Sequence, residues 1–228
     1  MDHGKKGADM DDELRIGKAL TSIHANAQTP VFLLLHGWGS NEYDLPDLMR
    51  LCAPGSDYAS LRAPIPYGPG YTWFGDWSHE GVPEGASLDR QALAAAKAVE
   101  RWVRDNIAAD RRIVVMGFSQ GGLLAGHLLR VNPKRYMAAV AFSGWLAPGP
   151  VAGDAELLEV RPPIFYGHGE ADTIFPAFET AAMADFWRTH GTLTEKTYPG
   201  MAHSINMPEM RDVAAFLQGI GAVRPQFF

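Results

Sequence analysis

The pentapeptide Gly117-Phe118-Ser119-Gln120-Gly121 stands where an apolar, β-branched run, Ile113-Val114-Val115-Met116, gives way to a helix-like segment from Gly122. A chain that turns abruptly from strand to helix forces the corner residue into a strained backbone conformation. Small residues two positions to either side are what let the neighbouring chain pass. The corner residue then projects its side chain outward, and a Gly-x-Ser-x-Gly motif in this setting denotes a nucleophilic serine. With 24 glycines in 228 residues, the pattern arises by accident in roughly one such chain in ten, so its weight depends on its surroundings.

Upstream, Val31-Phe32-Leu33-Leu34-Leu35 runs into His36-Gly37-Trp38-Gly39-Ser40. This reads as a strand buried on both faces followed by a glycine-rich turn. A nucleophilic serine needs such a loop, because the tetrahedral intermediate of acyl transfer carries a full negative charge on oxygen. Two backbone N–H donors usually hold it, one just after the nucleophile and one from the loop after an earlier strand. Here those donors would be the N–H groups of Gln120 and Trp38.

Downstream, Pro163-Ile164-Phe165-Tyr166-Gly167-His168-Gly169-Glu170-Ala171-Asp172 repeats the design, a short apolar strand leading through glycines to a carboxylate. Asp172 is the candidate acid of a catalytic triad, and Glu170, in the same loop, is its local competitor. Pro176 suits the first turn of a helix continuing through Phe178, Ala182 and Phe186. Further on, His203 follows the alternating run Leu193 to Thr197 and precedes a helical pattern from Met207 to Leu217, so it lies on a strand-to-helix loop on the same side of a parallel sheet. A free serine hydroxyl is a poor nucleophile; a base must take its proton and a carboxylate must fix the base's tautomer. Of the eight histidines, His203 alone combines loop position, spacing and chain order for that role. The order Ser119, Asp172, His203 is that of α/β-hydrolases.

Strand and helix signals alternate along the chain, as a mostly parallel central sheet with helices on both faces requires. Ser40 or Asn41 is read as the cap of a helix through Arg50, Tyr58 to Arg62 as a second strand, and Ser87 as the cap of a long helix to about Ala108. Ala147-Pro148-Gly149-Pro150 reads as a flexible surface excursion. From 63 to 85, Pro64, Pro66, Pro69, Pro83 and repeated glycines point to a long loop without regular structure. Its aromatic residues Trp73, Phe74 and Trp77, with Trp145, Phe175 and Met201 on other loops, either line an apolar pocket beside Ser119 or anchor the loop to the body.

Leu35-His36-Gly37-Trp38-Gly39-Ser40, Leu61-Arg62-Ala63-Pro64, Tyr71-Thr72-Trp73-Phe74, Gly117-Phe118-Ser119-Gln120-Gly121-Gly122, Phe142-Ser143-Gly144, His168-Gly169 with Asp172, and His203 together resemble the phospholipase/carboxylesterase family of α/β-hydrolases. That family includes acyl-protein thioesterases and bacterial carboxylesterases. The resemblance runs from about residue 30 to the C-terminus. It implies an esterase or thioesterase of one α/β-hydrolase domain over 13–228, without a large cap, acting through Ser119, Asp172 and His203. It implies no cofactor and no metal, and a homodimer would suit the family. The family's tryptophan-aromatic element is closely followed by aspartate, whereas Trp73-Phe74-Gly75-Asp76-Trp77 inserts a glycine and a second tryptophan. Trp38 stands where leucine is common. Depalmitoylation is therefore not carried over. An acyltransferase would share the acyl-enzyme, a peptidase would need a gating domain for which 228 residues leave no space, and a non-catalytic binding module would usually have lost a triad member.

A formal charge of −6 and a pI near 5.7 disfavour nucleic acid and anionic membranes as partners, since both reward clustered lysine and arginine. Cys52 is the single cysteine, which excludes an intrachain disulfide and favours a reducing compartment. Residues 1–12 are polar, lack a secretory apolar stretch and read as a flexible leader, and no run is long enough to span a membrane. The expectation is a cytoplasmic protein acting on a small-molecule acyl ester or thioester.

Overall fold

The computed structural model describes residues 14–24, 28–75 and 85–224. The leader expected over 1–12 and Trp77 lie outside them. The strands are β1 (Ala19–Ser22), β2 (Val31–Leu35), β3 (Asp57–Leu61), β4 (Ile65–Tyr67), β5 (Gly70–Thr72), β6 (Ile113–Phe118), β7 (Ala138–Phe142), β8 (Pro163–Gly169) and β9 (Thr192–Tyr198). The helices are α1 (Pro46–Cys52), α2 (Gly85–Asn106), α3 (Gln120–Val131), α4 (Asp154–Val160), α5 (Ala177–His190) and α6 (Met207–Gly219).

Seven strands form one sheet in the order β1-β3-β2-β6-β7-β8-β9. Every pairing is parallel except that of β1 with β3 at the edge. β2, β3 and β7 are buried at every position, which is why β2 and β7 read as continuous rather than alternating apolar runs. Alternate residues serve opposite faces. Leu33, Leu35, Val115 and Ala141 pack with α2, α3 and α5, while Phe32, Leu34, Met116 and Phe142 pack with α1 and α6. This is the α/β arrangement expected, with helices on both faces. Among the described residues no helix is long and apolar enough to cross a membrane.

The helix expected from Ser40 or Asn41 starts only at Pro46. Proline has no N–H to donate and its ring collides with the carbonyl four residues back, so a helix cannot run through it. The preceding turn is pinned differently: the Asn41 side chain accepts from Tyr43 N, and Ser40 Oγ donates to Asp44. Glu42 turns inward, fully buried, to Arg62, whose guanidinium donates to both its oxygens at 2.6 and 2.7 Å. That pairing holds the Glu42 carboxyl down at about 2.

The stretch 63–85 is not wholly irregular either. β4 and β5 form an antiparallel hairpin closed by Gly68-Pro69, with Gly68 at φ +52°. A two-residue hairpin turn takes glycine at a positive φ followed readily by a residue with φ near −65°, which proline supplies. Nor is 147–150 a free excursion. Arg130, buried on α3, donates to Ala147 O and Gly149 O, both at 2.6 Å, and to Asp154 at the start of α4.

Candidate active site

Ser119 sits between β6 and α3 with φ 55° and ψ −116°, a strained geometry for a residue with a side chain. The neighbouring glycines explain how the chain passes. A Cβ on Gly117 would lie 2.0 Å from Gly121 O, and one on Gly121 would lie 1.9 Å from Leu35 O. Ser119 N donates to Phe142 O, and Leu123 N donates back to Ser119 O, so the corner is tied to β7 and to the first turn of α3.

Ser119 Oγ lies 3.0 Å from His203 Nε2, and His203 Nδ1 lies 2.7 Å from Asp172 Oδ2. The three residues chosen from the sequence are thus brought into one hydrogen-bonded row across 84 positions of chain. A carboxylate accepts only, so Nδ1 carries the proton toward Asp172, which leaves Nε2 as the acceptor facing the serine hydroxyl. The imidazole is flanked by Phe118 at 4.9 Å and Phe175 at 5.5 Å between ring centroids. Asp172 Oδ1 also accepts from Ile174 N at 2.9 Å. Glu170 is exposed, and its backbone N–H donates to Tyr198 O.

The loops carrying Asp172 and His203 are fastened together. Ala171 N donates to Met201 O at 2.9 Å, and a Cβ on Gly169 would come within 1.9 Å of the same oxygen. Met201 is itself buried.

The loop after β2 is braced from three sides. His36 Nε2 accepts from Ala63 N at 3.0 Å and its Nδ1 donates to Gly37 O at 2.7 Å, which fixes a neutral ring. Burial pushes the His36 pKa down, consistent with that state. Trp73 Nε1 donates to His36 O at 2.8 Å. Gly39 N donates to Tyr71 O and Tyr71 N to Ser40 O, so β5 lies alongside the turn, and the Trp38 ring packs on Tyr67 at 4.5 Å. A Cβ on Gly37 would meet the Phe118 ring at 3.0 Å, which places this loop against the residue preceding Ser119. The Gln120 N–H opens α3, at the end of a helix where N–H groups lack intrahelical acceptors and the dipole favours negative charge.

The side chain of Gln120, read from sequence only for its backbone, is the hub of this corner. Its Oε1 accepts from Trp73 N at 3.1 Å and Thr72 Oγ1 at 2.9 Å, and its Nε2 donates to Phe74 O at 2.7 Å. Trp73 and Phe74 are enclosed, at 0% and 1% exposure: they support the hairpin and the His36 loop from within rather than offering a surface. Trp145 and Phe175 stack at 4.4 Å, with Phe74 edge-on to Trp145 at 6.2 Å, so an aromatic wall runs from Phe74 to His203. Among the described residues no three His, Cys, Asp or Glu side chains converge as metal ligands.

A strained serine between a buried parallel strand and a helix, with an acid and a histidine on later strand ends in that order, is the arrangement of the α/β-hydrolase fold. Residues 18–220 match the model of the phospholipase/carboxylesterase family. The chain belongs to that family and is, with it, a carboxylic ester hydrolase. It is similar to acyl-protein thioesterase 1 of Mycosarcoma maydis, 26% identical over 225 residues that cover 84% of this chain and 91% of the relative. In fold it resembles the Bacillus cereus carboxylesterase, with a TM-score of 0.73 and 19% identity over 89% of this chain and 94% of that one. The carboxylesterase from Mesorhizobium loti superposes with a TM-score of 0.67 and 23% identity over 83% and 88% of the two chains.

Proposed function

We propose that the protein is a serine esterase that cleaves small acyl esters, and thioesters of similar shape, through a covalent acyl-enzyme on Ser119. The observation that carries this reading is the continuous row Ser119 Oγ, His203 Nε2, His203 Nδ1, Asp172 Oδ2, at 3.0 and 2.7 Å, anchored on a strained corner. His203 takes the Ser119 proton as Oγ bonds to the acyl carbon, and Asp172 stabilises the imidazolium without itself becoming protonated. The oxygen that becomes negative is held by the N–H groups of Trp38 and Gln120, the latter reinforced by the α3 dipole. The tetrahedral species collapses, and the departing alcohol or thiol receives the proton from His203. Water then gives its proton to the same histidine, attacks the acyl carbon and releases the acid, restoring Ser119.

Trp38 is the aromatic surface assigned to substrate contact, whereas Trp73 and Phe74 hold the oxyanion loop in place and the stacked, buried Trp145 and Phe175 back the His203 imidazole. The test is hydrolysis of p-nitrophenyl esters of increasing acyl length by the parent protein and by Ser119→Ala. Turnover by the parent, with a loss on the order of 10⁴-fold in the variant, is the expected result. Undiminished turnover in Ser119→Ala would remove Ser119 from the chemistry.

A further inference from the structure

Glu209, in the first turn of α6, has no accessible surface, and among the described residues neither carboxyl oxygen has a hydrogen-bond partner. A buried carboxyl without a partner is strongly disfavoured in its ionised form, so such a group requires a reason to be there. Its position is specific. Oε1 fills the notch that Gly167 leaves in β8: a Cβ on Gly167 would lie 2.1 Å from that oxygen. Five residues beyond Gly167 stands Asp172, and six residues before Glu209 stands His203. The notch therefore lies where the strand that leads to the acid meets the helix that follows the base.

We propose that Glu209 is a positioning residue for the reaction: its carboxyl, seated against Gly167, sets the spacing between the start of α6 and the end of β8, and so the contact of His203 with Asp172. The inference rests on the reading of that pair as the base and acid of the reaction. Asn206 fixes the other end of the device, its side chain accepting from Glu209 N at 2.9 Å as the cap of α6. On the β8 side Gly167 O accepts from Ser143 N at 2.8 Å, so the strand cannot retreat from the carboxyl without breaking a sheet contact beside the elbow.

Among the described residues no cation pairs with the group: Lys196, the register partner of Gly167 on β9, is engaged with Asp212 instead. On its own helix Asp212 acts on it electrostatically, and that carboxylate is engaged by the Tyr198 hydroxyl and by Lys196 from β9. On β8 the neighbours of Gly167, Tyr166 and His168, alternate to the opposite face and pack on each other. β7 presents Phe142, the register partner of Gly167, and the charged pair of α1, Asp47 and Arg50, is closed on itself at the surface. Burial, with Asp212 adding to it, lifts the Glu209 pKa to about 8. The seat is thus filled by a neutral acid at pH 7, and ionisation above pH 8 puts a bare charge in it.

The experiment is the pH profile of kcat/KM on a p-nitrophenyl ester for the parent, Glu209→Gln, Glu209→Met and Ser119→Ala. The parent is expected to lose activity reversibly above pH 8, by roughly tenfold at pH 10, as displacement of one partner of a catalytic contact does. Glu209→Gln, which keeps the shape without the proton, is expected to hold its activity through pH 10 with the acid limb unchanged. Glu209→Met serves the same purpose where the amide variant does not fold. An alkaline limb that persists in the neutral variants, or a parent with no such limb, overturns the proposal. Inactivity of the parent, or full activity of Ser119→Ala, would instead overturn the catalytic reading beneath it.

Discussion

Replacing Gln120 with leucine keeps the bulk of a fully buried side chain and its backbone N–H while removing the amide that ties α3 to the hairpin. The cost follows from what each partner does next. Thr72 Oγ1 has a second acceptor in Phe74 O at 3.0 Å, so the hydroxyl turns to it and that carbonyl keeps one donor. Trp73 N loses its acceptor in this corner, Gln120 Oε1, and a buried N–H left unpaired costs roughly 1–3 kcal/mol. With the weakened solvation of Phe74 O, the total is about 3 kcal/mol, which for a chain of this size lowers Tm by roughly 6–12 °C. The same hairpin clamps 39–40 and carries the Trp73 indole against His36 O, so kcat on a p-nitrophenyl ester should fall about tenfold or more, with KM changing less. Circular-dichroism melting and steady-state kinetics on one preparation measure both. A shift below about 1 kcal/mol would refute the bonding account, and a destabilised variant with unchanged kcat would refute the link from hairpin to oxyanion loop.

Asp172→Asn should reduce kcat by about 10⁴-fold, while Glu170→Gln, altering an exposed side chain, should leave it within about twofold of the parent; the reverse result would move the acid to Glu170. Gly121→Ala should abolish activity and expression of folded protein together, because its Cβ would fall 1.9 Å from Leu35 O, and recovery of a fully active variant would contradict the packing described. His127 is buried on α3 with neither ring nitrogen bonded among the described residues, and burial lowers its pKa to about 4. Between its ordinary 6.5 and that value the unfolded chain binds a proton that the folded one does not. Stability contributed by the neutral ring is complete above pH 6.5 and is lost as pH falls toward 4, by on the order of 3 kcal/mol. Urea melts from pH 4 to 7 on the parent and His127→Leu check this, the variant being expected to show the shallower slope.

What was legible in the sequence was what is written locally. The elbow announces itself because Gly117 and Gly121 are demanded by backbone contacts within a few residues, and Asp172 and His203 follow because each ends a strand that reads as one. The buried runs of β2 and β6 fixed the parallel sheet for the same reason. The hairpin β4–β5 is not legible because its prolines, taken singly, argue against strands; the pairing depends on Gly68 at positive φ and on the turn at 39–40 alongside. The part played by Gln120 is hidden with it, since that side chain has meaning only once Thr72, Trp73 and Phe74 are brought beside it. The aromatic residues were legible as a group, but whether an indole faces a pocket or a core is decided by long-range packing. Trp73 turned inward to bond His36 O, whereas Trp38 stayed 37% exposed. Glu209 gave no signal, since a glutamate in a first helical turn is ordinarily a solvated partner of the dipole.

The most direct test of the account is the mass of the intact protein, and of its Ser119 peptide, quenched in acid during turnover of a p-nitrophenyl ester. The account predicts an added acyl group on Ser119 that disappears on return to neutral buffer and is missing in Ser119→Ala. Steady turnover with the acyl group on another residue, or with none trapped on Ser119 even when His203→Ala is used to slow its release, would contradict it.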